Sequence, residues 1–250
     1  MDSFETIDFQ VVEGVCIIKL NRPESLNAMN RRLIDETALA FEQANSRDDI
    51  KVIIFTGAGR AFCAGDDRNE HVHPQNENEA RELVDAIQRV THAIVGGKKL
   101  VIGAINGWAV GGGFEWAINC DFAIWGQSSK GFFPEVSLNL FVTGGVTSLL
   151  PALVGLSKAR EMLLLGEHYN ATTLHEMGVA WRVVENDNLM MEAMELAKRI
   201  SKLPTLSSMA MKRVLNQAAI TNLDKAMTLE TEATIEGFMD PETTRLLKDF

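Results

Sequence analysis

The chain is short of three things, and each shortage closes off a class of function. It holds three cysteines in 250 residues, Cys16, Cys63 and Cys120. They are far apart, odd in number and form no Cys-x-x-Cys pair, so a disulfide scaffold is not expected. Reduced thiols in a cytoplasmic setting are. Basic charge is the second shortage: 24 Lys and Arg stand against 34 Asp and Glu, for a net charge of −10. Proteins that neutralise phosphates need a basic face, and no Lys/Arg cluster occurs, so no nucleic-acid partner is expected. Long apolar runs are the third. None approaches the ~18 residues of a spanning helix. The opening Met1-Asp2-Ser3-Phe4-Glu5 has neither the basic start nor the apolar core of a signal peptide. Neither export nor a membrane partner is expected.

Two missing motifs narrow the chemistry further. No Gly-x-Ser-x-Gly elbow is present, which removes the commonest hydrolase signal. Gly57-x-Gly59 lacks the third glycine and the directly following helix of a dinucleotide fingerprint.

What remains is an ordinary globular composition, 46% hydrophobic and 23% charged, sized for one large domain or a domain with an appendage. Val15–Leu20 reads as a strand stopped by Asn21-Arg22-Pro23. The stretch 31–44 has helical periodicity, with Leu33, Thr37, Ala40, Phe41 and Ala44 on one side. Val52-Ile53-Ile54-Phe55-Thr56 is apolar and β-branched enough to be a strand covered on both faces, and 101–105 repeats the pattern. The spacing predicts an exposed loop over 68–78, a helix over 79–95, and another helix beginning near Phe114 after Gly111-Gly112-Gly113. This alternation argues an α/β architecture. No strand signal follows Val184. Helical patterning takes over near 190, with one helix stopped by Pro204 and two more after it. The expected division is therefore a mixed core over 1–190 and a helical segment over 191–250. That segment is too small to bury much by itself, so it packs on the core or on another subunit.

The region most informative about chemistry is 98–155. Glycines before a helix let a ligand approach the backbone, and the first helical N–H groups lack internal partners, so an oxyanion can dock there. Glu115 lies in the first turn of that helix. The same residues also fit a plain glycine bend with an N-terminal helix carboxylate. A second glycine loop, Ala64-Gly65-Asp66-Asp67, can supply a converging N–H, and two such donors make an oxyanion hole. Glu135 follows Gly131-Phe132-Phe133-Pro134, an apolar setting that raises a carboxyl pKa, or else it is a surface loop glutamate. Trp108 and Trp116 flank the glycine run and either line a pocket or pack in the core. His71-x-His73 is either a metal pair or solvated loop; with no cysteine nearby, no metal site is expected.

Taken in order, these pieces resemble the crotonase family, the enoyl-CoA hydratase/isomerase superfamily. The likeness runs through Leu20-Asn21-Arg22-Pro23, Leu26-Asn27-Ala28, Ala64-Gly65-x-Asp67 and Asn106-Gly107-x-Ala109-x-Gly111-Gly112-Gly113-x-Glu115. It continues in Cys120-Asp121, Phe133-Pro134-Glu135, Gly144-Gly145, Leu153-Val154-Gly155 and Val183-Val184, covering nearly the whole chain. The resemblance implies a spiral of ββα units with a helical trimerisation segment, assembled as a homotrimer or homohexamer. It implies an acyl-CoA thioester substrate and no cofactor beyond the CoA that the substrate carries.

Carried over by position, Asp66 and Gly112 give the backbone N–H groups that hold the thioester oxygen. Glu115 orients and deprotonates water, and Glu135 exchanges the proton at Cα. Arg22 and Lys99 are the basic candidates for the CoA phosphates, with Ala64, Asp67 and Trp108 as further substrate-side candidates. Three features depart from the family pattern. Asp66 stands where hydratases commonly have a small residue. Phe141-Val142-Thr143-Gly144-Gly145 replaces a Pro-Gly-x-Gly-Gly stretch, which leaves acyl preference open. The chain ends at Lys248-Asp249-Phe250, short of a basic tail, and Arg245-Leu246 replace an expected Glu-Gly, which implies fewer CoA contacts from a neighbouring C-terminus. Hydration is the leading reading. Δ3,Δ2-enoyl-CoA isomerisation, another acyl-CoA lysis or hydrolysis, and a silent acyl-CoA-binding subunit are the alternatives.

Overall fold

The computed structural model describes residues 4–70, 72–220 and 222–249. Strands β1 (Ile7–Val12) and β2 (Val15–Leu20) form a hairpin, followed by α1 (Arg31–Ser46). Then come β3 (Val52–Gly57), β4 (Ala61–Cys63), α2 (Glu77–Val95), β5 (Leu100–Ile105), β6 (Trp108–Val110) and α3 (Gly112–Asn119). β7 (Phe122–Gly126) and β8 (Lys130–Phe132) begin one more turn of the same ββα pattern. From β3 onward each unit sends its first strand to one sheet and its short second strand to another. The first sheet runs β1-β2-β3-β5-β7-β10, with β10 at Arg182–Val184, and it is parallel from β2 onward. The second runs β4-β6-β8-β9, with β9 at Tyr169–Asn170.

Alternation along β3 explains why every one of its residues is buried. Ile53 and Phe55 face the main core, where Phe55 meets Phe41 and Phe62 edge-to-face at 5.0 and 5.1 Å. Val52 and Ile54 face the opposite side, against Ala193, Leu196, Ala197 and Ile200 of α7 (Leu189–Ser201). The division expected at residue 190 thus falls inside a helix that forms the outer layer of the sheet. Its apolar stripe has to be covered, and the sheet covers it.

After α4 (Val146–Val154), α5 (Leu156–Leu165) and α6 (Ala171–Glu176), the helices beyond Pro204 number three among the described residues rather than the expected two. They are α8 (Thr205–Ala219), α9 (Leu223–Met239) and α10 (Pro241–Asp249). α8 is tied to the core by Lys212, whose buried ammonium donates to the carbonyls of Ile94 and Lys99 and to Asp121 Oδ2 at 2.8–2.9 Å. α9 lies on α2 and α4, and α10 folds back beside the 3-10 turn Glu135–Leu138. Among the described residues no helix is long and apolar enough to cross a membrane.

Two asparagines of the recognised motifs hold the strand-to-strand turns. Asn27 Nδ2 donates to the carbonyls of Ala58 and Ala61, both at 2.9 Å. Asn106 Oδ1 accepts from Gly57 N–H at 3.1 Å, and its amide donates to the Gly59 carbonyl at 2.9 Å. Gly107 packs on the Arg60 carbonyl so closely that a Cβ there would collide with it. These turns bring the ends of β4 and β6 together, which is where the site lies.

Candidate active site

α3 begins at Gly112, two residues before the expected start, because the glycine run is itself the first turn. Gly111 has φ +51°, and its carbonyl accepts from the N–H groups of Phe114 and Glu115 at 2.8 and 2.9 Å. At Gly113 a Cβ would run into the Cys63 carbonyl, so only glycine lets α3 sit on the end of β4. That contact sets the 64–67 loop beside the helix N-terminus. The loop is pinned on both sides of Asp66: Met29 N–H donates to the Gly65 carbonyl at 2.7 Å, and Asp67 N–H donates to the Met29 carbonyl at 3.2 Å. Ala64, Asp66, Asp67, Gly112, Glu115 and Glu135 all line one cavity of about 710 Å³. Its apolar wall comes from Leu83 and Ile87 of α2, Leu140 and Phe141, Phe238 of α9 and Leu247 of α10.

The two carboxylates are in unlike surroundings. Glu115 is 1% exposed, and its oxygens accept from Thr143 N–H at 2.8 Å and from the Thr143 hydroxyl at 2.7 Å. Burial pushes its pKa up to about 7 against the pull of those two bonds, with the charge of Glu230 adding to the rise. Glu135 is raised well above the carboxylate range by burial and then by the charge of Glu115. Its Oε2 is buried with no hydrogen-bond partner among the described residues. A Cβ at position 111 would lie 2.5 Å from Glu135 Oε1, so Gly111 is what admits this carboxylate to the helix N-terminus. The arrangement offers one carboxylate that ionises near neutrality, a second whose pKa is also raised, and a helix start with N–H groups to spare.

A profile described as "Enoyl-CoA hydratase/isomerase" matches residues 10–243 of the chain. The chain belongs to the enoyl-CoA hydratase/isomerase family. It is 34% identical to a 1,2-epoxyphenylacetyl-CoA isomerase of Escherichia coli (strain K12), over 91% of this chain and 88% of that protein. It is 33% identical to a crotonyl-CoA hydratase of Syntrophomonas wolfei subsp. wolfei, over 92% and 89%. The crystal structure of an enoyl-CoA hydratase from Mycobacterium avium subsp. paratuberculosis K-10 superposes with a TM-score of 0.91 at 25% identity, covering 99% of this chain and all of that one. The crotonase fold expected from the motifs is thus the fold observed.

Within this enoyl-CoA hydratase/isomerase fold, three of the candidates are not at the cavity. Arg22 is buried and already committed: it donates to Asp67 Oδ2 and Glu70 Oε1 at 2.7 Å each and to the Ala28 carbonyl at 2.6 Å. It clamps the 64–70 loop to the 22–28 segment and does not line the cavity. Asp67 does line it, but with its carboxylate held by Arg22. Lys99 precedes β5 at the end of the strand opposite the Asn106 turn, and it is buried. Trp108 packs on Phe132, His168 and the Lys130 ammonium, while Trp116 is wholly buried against Phe55. His71 lies outside the described residues. His73 has Nε2 3.1 Å from the Thr244 hydroxyl and its ring beside Phe238.

Two contributors were not foreseen. Thr143 sits in the 141–145 stretch read only as leaving acyl preference open, and it is the group that holds Glu115. Glu230 lies on the buried stripe of α9 with Met227, Thr231, Thr234, Ile235 and Phe238. A glutamate spaced i, i+4, i+8 with Thr234 and Phe238 on a buried stripe was the available signal.

Proposed function

We propose that the chain hydrates an α,β-unsaturated acyl-CoA thioester. The observation that carries this is the pairing of Glu115 and Glu135 in one cavity, each with its pKa raised chiefly by burial, with the charge of Glu230 adding at Glu115 and that of Glu115 adding at Glu135. Ionised Glu115 takes a proton from water as the water oxygen bonds to Cβ. The π electrons move through Cα onto the thioester oxygen, giving an enolate that accepts from the backbone N–H groups of Asp66 and Gly112. Glu135 then delivers its proton to Cα, and the thioester carbonyl re-forms. The proton on Glu115 returns to Glu135 before the next cycle. One oxyanion donor is worth ~3–4 kcal/mol of barrier and a placed acid or base ~10²–10⁴-fold in rate. The reaction draws on no group beyond these side chains, water and the CoA ester. Asp66 contributes its backbone.

A second reading has one specific observation in its favour. Both Glu115 oxygens accept from Thr143, whereas Glu135 Oε2 has no partner among the described residues, a distribution that also suits a single-carboxylate proton shuttle between Cα and Cγ. Assays of Glu115→Gln and Glu135→Gln on crotonyl-CoA and on a 3-enoyl-CoA separate the two. Under hydration, either change lowers turnover of crotonyl-CoA ~10²–10⁴-fold. Under isomerisation, Glu115→Gln keeps 3-enoyl-CoA turnover and Glu135→Gln abolishes it.

The proposal includes self-association through the helices beyond 190, as a trimer or a hexamer in the cytoplasm. α8 supports it by presenting Leu206, Met211 and Leu215 to solvent in the single chain. A mass measurement in solution is the check, and a monomer contradicts it.

A further inference from the structure

One buried carboxylate takes no direct part in the proton transfers above. Glu230 is fully buried on the inner face of α9 and does not line the cavity. A buried carboxylate is costly unless hydrogen bonds satisfy it. Here Gly145 N–H donates to Oε2 at 2.8 Å. Thr147 N–H and the Thr147 hydroxyl donate to Oε1 at 2.8 and 2.6 Å. The Gln88 amide lies 3.4 Å from Oε2. Three of these donors belong to the first turn of α4, where the helix has N–H groups to satisfy and favours a negative charge.

The residues just before that turn are the ones that touch Glu115. Gly144 and Gly145 are both left-handed, with φ +69° and +68°. Gly144 leaves so little room that a Cβ there would be 2.8 Å from Glu115 Oε2. Thr143 supplies both hydrogen bonds to Glu115. From Glu230 to Glu115 the path is one hydrogen bond, three consecutive residues and two hydrogen bonds.

We propose that Glu230 is a positioning residue for Glu115: it fixes the 143–145 turn so that Thr143 keeps both its donors on the Glu115 carboxylate. This inference rests on the reading of Glu115 as the catalytic base. The groups facing Glu230 are Gln88 from α2, the Gly145 and Thr147 donors from the start of α4 and, across the turn, Glu115 from α3. A displacement of ~1 Å at a reacting group costs ~10²-fold in rate, so the effect belongs in kcat.

The test measures kcat and KM on crotonyl-CoA for Glu230→Gln, Thr147→Val and Thr231→Val. The third is a control on the same helix, its hydroxyl donating to the Met227 carbonyl. Glu230→Gln is expected to lower kcat ~10–100-fold with KM within about twofold, and Thr147→Val to lower kcat ~3–10-fold. Thr231→Val is expected to leave both unchanged. A folded Glu230→Gln with normal kcat overturns the inference, as does a loss shared equally by Thr231→Val. If Glu230→Gln does not fold, Thr147→Val decides by the same criterion. If the wild-type protein does not turn over crotonyl-CoA, hydration fails and the positioning claim is read separately, from the Glu115 carboxyl titration in 13C-Glu-labelled protein. Movement of that titration by Thr147→Val but not by Thr231→Val supports it, and no movement overturns it.

Discussion

Thr143 donates to both oxygens of Glu115, its N–H to one and its hydroxyl to the other, so a single residue sets the orientation and the basicity of the proposed base. Hydrogen bonds to the ionised form lower a carboxyl pKa, and these two oppose the burial that raises it. Thr143→Val removes the hydroxyl bond and keeps the N–H. The Glu115 pKa is expected to rise and kcat at pH 7 to fall about tenfold, from the ~1.5–3 kcal/mol of a charged hydrogen bond. A pH–rate profile checks this: the ascending limb moves to higher pH.

Gly144→Ala is expected to be far worse than its size suggests. The residue has φ +69°, and the new methyl would press on Glu115 Oε2. Backbone strain alone costs ~1–3 kcal/mol of stability. Turnover is expected to fall more than ~10²-fold, because the carboxylate has to move. Thermal unfolding and steady-state kinetics measure the two losses separately.

Stability is expected to depend on pH through Glu115. Its folded pKa, about 7, lies above the ordinary value of 4.5. The favourable contribution of the neutral form is therefore complete below about 4.5 and is lost as pH rises through about 7. The loss amounts to ~3 kcal/mol from the size of the shift. Glu115→Gln, neutral at every pH, is expected to gain unfolding free energy relative to wild type between pH 5 and pH 8. Denaturant unfolding at those two values checks the sign.

Arg22→Met is expected to destabilise the protein by ~3–5 kcal/mol, because it leaves the buried Asp67 carboxylate without its partner. If Arg22 instead gripped the CoA phosphates, its loss would raise KM and weaken the salt dependence of CoA binding with stability intact. Unfolding and CoA titration at two ionic strengths distinguish these outcomes.

The parts of the fold readable in the sequence are those with a strong periodic signal. β2, β3 and β5 are apolar six-residue runs, and α1 buries all five residues of the expected face. β4, β6 and β8 have three residues each, too few for alternation to register, so the second sheet was not visible. Glu115 and Glu135 stood out because glycine and proline mark their turns. Thr143 and Glu230 act across the fold, and nothing local to them advertises a partner. That Arg22 and Lys99 lie away from the cavity was not legible for the opposite reason: a basic side chain announces its charge but not what it faces, and Arg22 pairs with Asp67 and Glu70 of the same chain.

The most direct test of the account is to incubate the purified protein with crotonyl-CoA in water enriched in oxygen-18 and to weigh the product. Hydration is expected to give 3-hydroxybutyryl-CoA carrying one heavy oxygen, at a rate that falls in both Glu115→Gln and Glu135→Gln. A product of unchanged mass, or recovered crotonyl-CoA with no added oxygen, would contradict it.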